Sequence, residues 1–158
     1  DVIEYVVEQG IIVVAAAGND GTSQVQYPAG YESVIGVTAV DGSSHKATFA
    51  NYGASWVDMA APGVGIMSTM ITADGPGYAT WSGTSMSTAF VSGAAALVAE
   101  KWEVSTTQEG GMLDQLINTG LVLDLLNPLF AGQIGRLLDV SAALEVQSSL
   151  LFLPQTEK

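Results

Sequence analysis

The stretch SGTSMSTAFVSGAAAL, residues 82–97, decides the fold class of this chain. Small or apolar residues continue from position 86 to position 99 on nearly every side of a helical wheel, which predicts a helix buried on all its faces. Ser85 falls in the first turn of that helix, where unpaired backbone N–H groups and the helix dipole favour a negative charge. A hydroxyl there can attack a carbonyl whose oxygen is held by the same helix end. The alternative is that Ser85 only caps a core helix.

A second stretch, GIIVVAAAGNDG at residues 10–21, predicts a central strand. Its unbroken apolar run over 11–17 suits a strand of a parallel sheet that is covered on both faces. The run ends at Gly18 and Asn19, and functional groups in such sheets lie just past the carboxyl ends of the strands. Asn19 offers an amide N–H donor at that edge. A dinucleotide-binding loop is the rival interpretation, but the spacing G-x-G-x-x-G is absent.

Four segments together resemble the subtilisin-like serine proteases, and their order and spacing match that family. They are AAAGNDG (15–21), YPAGYESVIGVTAV (27–40), MAAPGVGIMST (59–69) and SGTSMSTAFVSGAAAL (82–97). The resemblance extends from residue 1 to about residue 144. It implies an α/β, three-layer subtilisin-like fold with a mostly parallel sheet.

The resemblance also implies roles for single residues. Ser85 would be the nucleophile, and Asn19 would be the side-chain donor of the oxyanion hole beside the Ser85 N–H, with Thr84 supporting that hole. An α/β-hydrolase is the weaker interpretation, because Gly83-Thr84-Ser85-Met86-Ser87 lacks the second glycine of G-x-S-x-G.

The acid and the base of the triad have no matching motif in this sequence. The family carries its Asp in an Asp-Ser/Thr-Gly motif and its His in a His-Gly-Thr-His motif, and neither occurs here. We therefore expect residues 1–147 to be the C-terminal portion of a peptidase domain, with a tail or linker over 148–158 and the N-terminal half as partner. Such a portion is expected to be inactive alone and not to fold autonomously. A pseudoprotease, or an inert fragment acting as a binding or structural module, is the alternative.

His45 is the single histidine and has to be weighed as a base. It precedes Ser85 by 40 positions, in a loop that lies away from the triad in the family. Nothing in the sequence brings it within hydrogen-bond reach of a nucleophile, so we assign it to a solvated loop.

Substrate recognition is implied only in part. In the family, Ala16, Ala17 and Gly18 form one wall of the pocket for the residue before the scissile bond, and Gly83 lets the substrate backbone approach. Gln26 matches a position at the base of that pocket. A glutamine there predicts a smaller, more polar pocket that accepts large aromatic side chains poorly.

A weak cation site is a further implication of the resemblance. The carbonyls of Ala29, Tyr31 and Val34, with the Asp58 carboxylate, match such a site in some family members, and these hard oxygen ligands suit calcium or sodium as a structural ion. The alternative is an ordinary turn with a solvated Asp58. No cofactor is required for the expected chemistry.

Composition narrows the class of partner. A net charge of −12 argues against nucleic acid, whose phosphates need clusters of Lys and Arg. The absence of cysteine excludes disulfides and thiol catalysis. No apolar stretch reaches the length of a membrane span, and a secreted peptide- or protein-cleaving enzyme is the expectation from the family.

The remaining pattern predicts the element order. We expect a helix over 2–9, strands over 11–17, 34–40, 47–50, 57–60, 66–70 and 78–80, and the long helix over 85–101. A turn at 74–77 joins two of the strands. A later helix begins with the capping pattern near Ser105 and ends at Gly120, and Asp139 is predicted to cap a last helix.

Overall fold

A computed structural model describes residues 2–73, 75–102 and 112–145. The described elements follow in the order listed here: α1 (Val2–Glu8), β1 (Val13–Ala16), β2 (Val34–Val40), β3 (Met59–Pro62), β4 (Ile66–Thr72), β5 (Gly75–Trp81), α2 (Thr84–Trp102), α3 (Met112–Thr119), β6 (Leu121–Val122), β7 (Arg136–Leu137) and α4 (Val140–Glu145). A short 3-10 helix, Pro128–Phe130, lies between β6 and β7.

A mostly parallel sheet is the centre of the fold. Its strand order is β1-β2-β3-β7-β6, in which β1, β2, β3 and β7 run parallel and β6 is an antiparallel edge strand. Strand β2 is buried at all seven of its residues. Strand β1, where the apolar run over 11–17 predicts a strand covered on both faces, is covered less: of Val13–Ala16 only Ala15 is buried, and the others are half-buried. The α/β class with a mostly parallel sheet is confirmed.

The long helix α2 packs across β1, β2 and β3 on one face of the sheet. One stripe of its residues, including Val91, Ala94 and Val98, joins Val37 and Met59 in the main hydrophobic cluster. Helices α3 and α4 complete the same layer. Burial of this stripe fixes the direction of the helix relative to the strands, and therefore the place of its first turn.

The expectation that α2 is buried on all faces is wrong for the described residues. The side opposite the sheet is exposed, with Phe90 at 45% and Leu97 at 49% of their full accessibility, and Gly93 and Ala96 lie on that side as well. The sequence pattern reports apolar character and not coverage, so it cannot tell an already packed face from one that still lacks a partner.

Other differences concern short strands and boundaries. Residues 47–50 form a turn instead of a strand, because the Ala50 N–H donates to the Ala47 carbonyl at 3.0 Å. Only a single bridge, between Val40 and Lys46, precedes this turn. The predicted strand at 57–60 lies two residues later, as β3. The predicted hairpin exists, with Thr72 paired to Gly75.

Of the two predicted helix caps, one is confirmed and the other lies outside the described residues. The Asp139 carboxylate accepts a hydrogen bond of 2.9 Å from the Ala142 N–H, which confirms the predicted cap of α4. The capping pattern near Ser105 and the segment 148–158 lie outside the described residues.

Candidate active site

The first turn of α2 lies at the carboxyl ends of the parallel strands. The Gly83 N–H donates to the Gly63 carbonyl at 2.8 Å, and the Gly63 N–H donates to the Val40 carbonyl at 3.0 Å. A Cβ on Gly63 would lie 2.3 Å from the Ser87 Oγ and 2.9 Å from the Gly83 carbonyl oxygen. The close approach of these two segments therefore requires a glycine, and it holds the start of α2 against the sheet.

The loop after β1 meets the same helix start through Asn19 and Thr84. The Asn19 Oδ1 accepts hydrogen bonds from the Thr84 N–H at 2.9 Å and from the Thr84 Oγ1 at 3.1 Å. The Thr84 Oγ1 in turn accepts the Gly18 N–H at 3.2 Å. Thr84 is fully buried, so this small network joins the end of β1 to the start of α2 in a protected place.

These bonds fix the orientation of the Asn19 amide. A backbone N–H needs an acceptor, so the oxygen of the amide faces Thr84 and its NH₂ group faces away. The Asn19 side chain is exposed, and a Cβ on Gly83 would lie 3.6 Å from the Asn19 Nδ2. The Asn19 Nδ2 forms no hydrogen bond with the described residues and is therefore an available donor beside the helix start.

The Ser85 hydroxyl forms no hydrogen bond with the described residues, unlike the hydroxyls of the nearby Ser82 and Ser87. The Ser82 Oγ accepts the Gly65 N–H at 2.9 Å, and the buried Ser87 Oγ donates to the Ala61 carbonyl at 2.9 Å. Ser85 is exposed, and neither its hydroxyl nor its N–H forms a hydrogen bond with any of the described residues. Its hydroxyl and its helix-start N–H are therefore both available, one residue after the Thr84 that holds the Asn19 amide.

Of the residues predicted to line the substrate pocket, Gln26 and Gly18 are neighbours in the structure, whereas the Ala17 side chain is buried. Gln26 is half-buried, and its Cγ would lie 3.3 Å from a Cβ on Gly18, so the two residues are neighbours. The Ala17 side chain points into the hydrophobic cluster with Ala15, and the Ala17 carbonyl accepts the Asn51 Nδ2 at 3.0 Å. Ala17 therefore contributes backbone and not side chain to any surface here, whereas Ala16 is half-buried.

Asp58 and the loop at 29–34 lie near one another around Gly36. The Asp58 Oδ2 accepts the Gly36 N–H at 2.7 Å, and the Ala29 carbonyl oxygen would lie 3.1 Å from a Cβ on Gly36. The Tyr31 carbonyl accepts the Val34 N–H at 3.0 Å. Burial raises the pKa of the Asp58 carboxyl, and the Gly36 N–H offsets only part of this effect. The Tyr27–Pro28 bond, which precedes this loop, is cis.

The described residues hold no cluster of three or more His, Cys, Asp or Glu side chains. The oxygen donors of the sequence-predicted cation site, the Asp58 carboxylate and backbone carbonyls, are of the hard kind that calcium or sodium prefers.

His45 lies on an exposed loop, where its Nδ1 is 3.9 Å from the Asp41 Oδ1. Its neighbour Lys46 is bonded to the Asn127 side chain through its N–H at 2.7 Å. These contacts tie the loop to residues 123–127 and not to the start of α2. The structure thus keeps His45 as a surface residue.

Comparison with known proteins agrees with this geometry. The model of the subtilase family (Peptidase S8) matches residues 2–127. The chain belongs to the subtilase family. Among related subtilases, Subtilisin NAT from Bacillus subtilis subsp. natto is 42% identical over 146 residues, which are 90% of this chain and 36% of that protein. The "Thermophilic serine proteinase" of Bacillus sp. (strain AK1) is 50% identical over 99 residues, 63% of this chain and 24% of that protein.

Solved structures extend the likeness to the fold. The prenylagaramide maturation protease PagA superposes with a TM-score of 0.73 at 26% identity, over 90% of this chain and 52% of that one. A protease from Pseudoalteromonas arctica PAMC 21717 superposes with a TM-score of 0.78 at 26% identity, over 90% of this chain and 44% of that one. This subtilase chain therefore spans about a quarter to a third of the curated relatives named above and about half of these structures.

Two features of the site escaped the sequence analysis. Asn51 was not singled out, although it is fully buried and bonded to the loop that carries Asn19. The signal was present as a polar residue between buried positions in ATFANYG, but the sequence does not show where its hydrogen bonds go. The fixed direction of the Asn19 amide was also not foreseeable, since it follows from a contact across 65 positions.

Proposed function

We propose that this chain carries the nucleophile and the oxyanion donors of a serine endopeptidase. The Ser85 Oγ attacks the peptide carbonyl carbon, and a histidine from outside this chain takes its proton. The C–N bond breaks, the amine leaves with that proton, and water then hydrolyses the acyl-enzyme on Ser85. The observation that carries the proposal is that the Ser85 hydroxyl and N–H form no hydrogen bond with the described residues, while the Asn19 amide is held by its oxygen at Thr84, the residue next to Ser85.

The oxyanion donors are preorganised in this arrangement. The Asn19 amide is held by Thr84 before any substrate arrives, so little reorganisation is needed when negative charge develops. Thr84 is a positioning residue in this proposal, because its hydroxyl lies between the Gly18 N–H and the Asn19 Oδ1. Loss of such a donor costs about 10²–10³ in turnover in subtilisin, a figure measured in this family.

The partner in this proposal is the companion segment that supplies the acid and the base. The described chain exposes an apolar face on α2, and β1 pairs with β2 alone among the described strands. An open sheet edge and an exposed apolar helix face are what a second half of one domain would cover.

A fluorophosphonate probe tests the nucleophile and the companion together. With the companion segment present, we expect the probe to modify Ser85, as mapped by mass spectrometry, and Ser85→Ala to abolish the labelling. Ser92→Ala, an exposed position on the same helix, is the matched control and should label normally. The chain alone should not react.

The outcomes separate the alternatives. Labelling of the chain without its companion would contradict the need for an external base. No labelling of the complete protein would contradict the peptidase and favour a pseudoprotease that binds without cleaving.

No helix among the described residues has both the length and the apolar character to cross a membrane. From the family, we propose that the protease is secreted.

The pocket for the residue before the scissile bond is proposed to lie along Ala16, the Ala17 backbone and Gly18, with Gln26 at its base. The half-buried Gln26 side chain fills space beside Gly18 and offers a polar amide to the pocket. This favours small side chains over large aromatic ones.

Replacing Gln26 tests the pocket. We expect Gln26→Gly to raise kcat/KM for a substrate with Phe at this position by about tenfold, and to leave an Ala substrate nearly unchanged. Gln24→Gly, at an exposed neighbouring position, is the control and should change neither value. Equal turnover of Phe and Ala substrates by the unmodified enzyme would contradict the pocket assignment.

The cation proposal is tested by thermal unfolding of the complete protein. Because the pKa of Asp58 is raised by burial, its charged form is unfavourable in the folded state, and a bound cation would relieve this. Calcium or sodium should raise Tm at neutral pH, and Asp58→Asn should remove that rise. Without the cation, the contribution of Asp58 to stability should increase as pH falls through its folded pKa, which lies above 3.8.

The control for the cation experiment is the exposed Asp41. Its pKa is lowered by hydrogen bonds from the Ser43 and His45 N–H groups, so its stabilising contribution is lost as pH falls, the opposite direction. Asp41→Asn should keep the cation-dependent rise in Tm. An equal rise in the Asp58→Asn and unmodified proteins would contradict the site.

A further inference from the structure

Asn51 uses every polar atom of its side chain on the loop that follows β1. Its Oδ1 accepts the Asp20 N–H at 3.0 Å and the Thr22 N–H at 3.1 Å, and its Nδ2 donates to the Ala17 carbonyl at 3.0 Å. Its backbone N–H donates to the Gly18 carbonyl at 3.0 Å. Asn51 is fully buried, so water does not compete for these bonds.

The contacts of Asn51 bracket Asn19 on both sides along the chain. The backbone groups of Ala17 and Gly18 precede Asn19, and those of Asp20 and Thr22 follow it. The Asn19 side chain forms no hydrogen bond with Asn51, and its oxygen accepts hydrogen bonds from Thr84 instead. Asn51 therefore fixes the backbone from which the Asn19 amide projects.

The fit between Asn51 and Gly18 is close. Gly18 has a φ of +100°, and a Cβ there would lie 2.6 Å from the Asn51 Nδ2. A side chain at position 18 would be strained by the backbone and would also push the amide away. The loop thus depends on a pair, a glycine at 18 and an amide at 51.

The anchor continues from Asn51 into the sheet. The buried Thr38 Oγ1 on β2 donates to the Asn51 carbonyl at 2.5 Å. A line of hydrogen bonds therefore runs from the central strand through Asn51 to the loop of Asn19. Thr84 holds the other side of the same loop from α2.

We propose that Asn51 is a positioning residue that sets the place of the Asn19 amide for the oxyanion. This rests on the proposed function, in which the Asn19 Nδ2 holds the developing charge. An amide that must stay in place to stabilise a transition state is sensitive to small displacements, so loosening its backbone lowers turnover more than substrate binding.

The test uses the complete active protease with Asn51→Ala. We expect kcat to fall about tenfold or more with KM changed less than twofold, since the interaction is made in the transition state. In the Asn19→Ala background the same change should lower kcat less than twofold, because nothing is left to position. Hydrogen–deuterium exchange in the peptide containing Asp20 and Thr22 should increase. Asn51→Ser, whose hydroxyl can still accept one N–H, should lie between alanine and the unmodified protein and carries the test if alanine prevents folding.

Asn127→Ala is the matched control. Asn127 is also a buried asparagine that fixes a loop, through the Lys46 N–H and the Ser44 and Leu123 carbonyls, but none of these hydrogen bonds involves the loop after β1 or the first turn of α2. It should lower Tm in the manner of Asn51→Ala and leave kcat unchanged.

Each outcome has one meaning. A fall in kcat of the same size in Asn51→Ala and Asn127→Ala would overturn the proposal, because only general stability would be involved. A full fall in the Asn19→Ala background would also overturn it. An Asn19→Ala variant with unchanged kcat, accompanied by faster exchange at Asp20 and Thr22 in Asn51→Ala, would instead contradict the oxyanion role in the proposed function.

Discussion

The hydrogen bonds between Asn19 and Thr84 are the constraint on which the candidate site depends. They join the loop after β1 to the first turn of α2, two segments 65 positions apart in the chain. Without these bonds either the oxygen or the NH₂ group of the Asn19 amide could face Thr84. The unpaired N–H groups of the helix start would then have no fixed side-chain donor beside them. With these bonds, the donor direction is fixed by the need of the Thr84 N–H for an acceptor. Packing of α2 on the sheet sets the approximate position of its first turn, and the bonds between Asn19 and Thr84 set the orientation of the Asn19 amide beside it.

Much of this site could be predicted from the sequence because its motifs are local. The apolar run before Gly18 predicts a strand, and the small-residue stretch after Ser85 predicts a helix. A parallel sheet then brings the ends of such elements to one edge. Resemblance to the family then assigned Ser85 and Asn19. The buried Asn51 could not be found in this way, since its role lies in contacts with residues 29 to 34 positions earlier.

The errors of prediction have a common physical origin. A strand was predicted at 47–50, but a hydrogen bond from the Ala50 N–H to the Ala47 carbonyl closes a turn there. The α2 helix was predicted to be buried on all sides, yet the face with Phe90 and Leu97 is exposed. In both cases the residue types were interpreted correctly, but the structure depends on contacts between segments or residues that composition does not report. The exposed face is consistent with the proposed companion segment.

The most direct test of the account is the turnover of Thr84→Val in the complete protease. Valine keeps the volume and the Thr84 N–H but removes the hydroxyl that bridges Gly18 and Asn19 in a fully buried place. The account predicts a fall in kcat of about tenfold, the effect of roughly 1.4 kcal/mol, with KM nearly unchanged and with Thr84→Ser close to the unmodified enzyme. An unchanged kcat in Thr84→Val would contradict it, because the hydroxyl that bridges Gly18 and Asn19 would then not be needed to hold the amide that the retained Thr84 N–H orients.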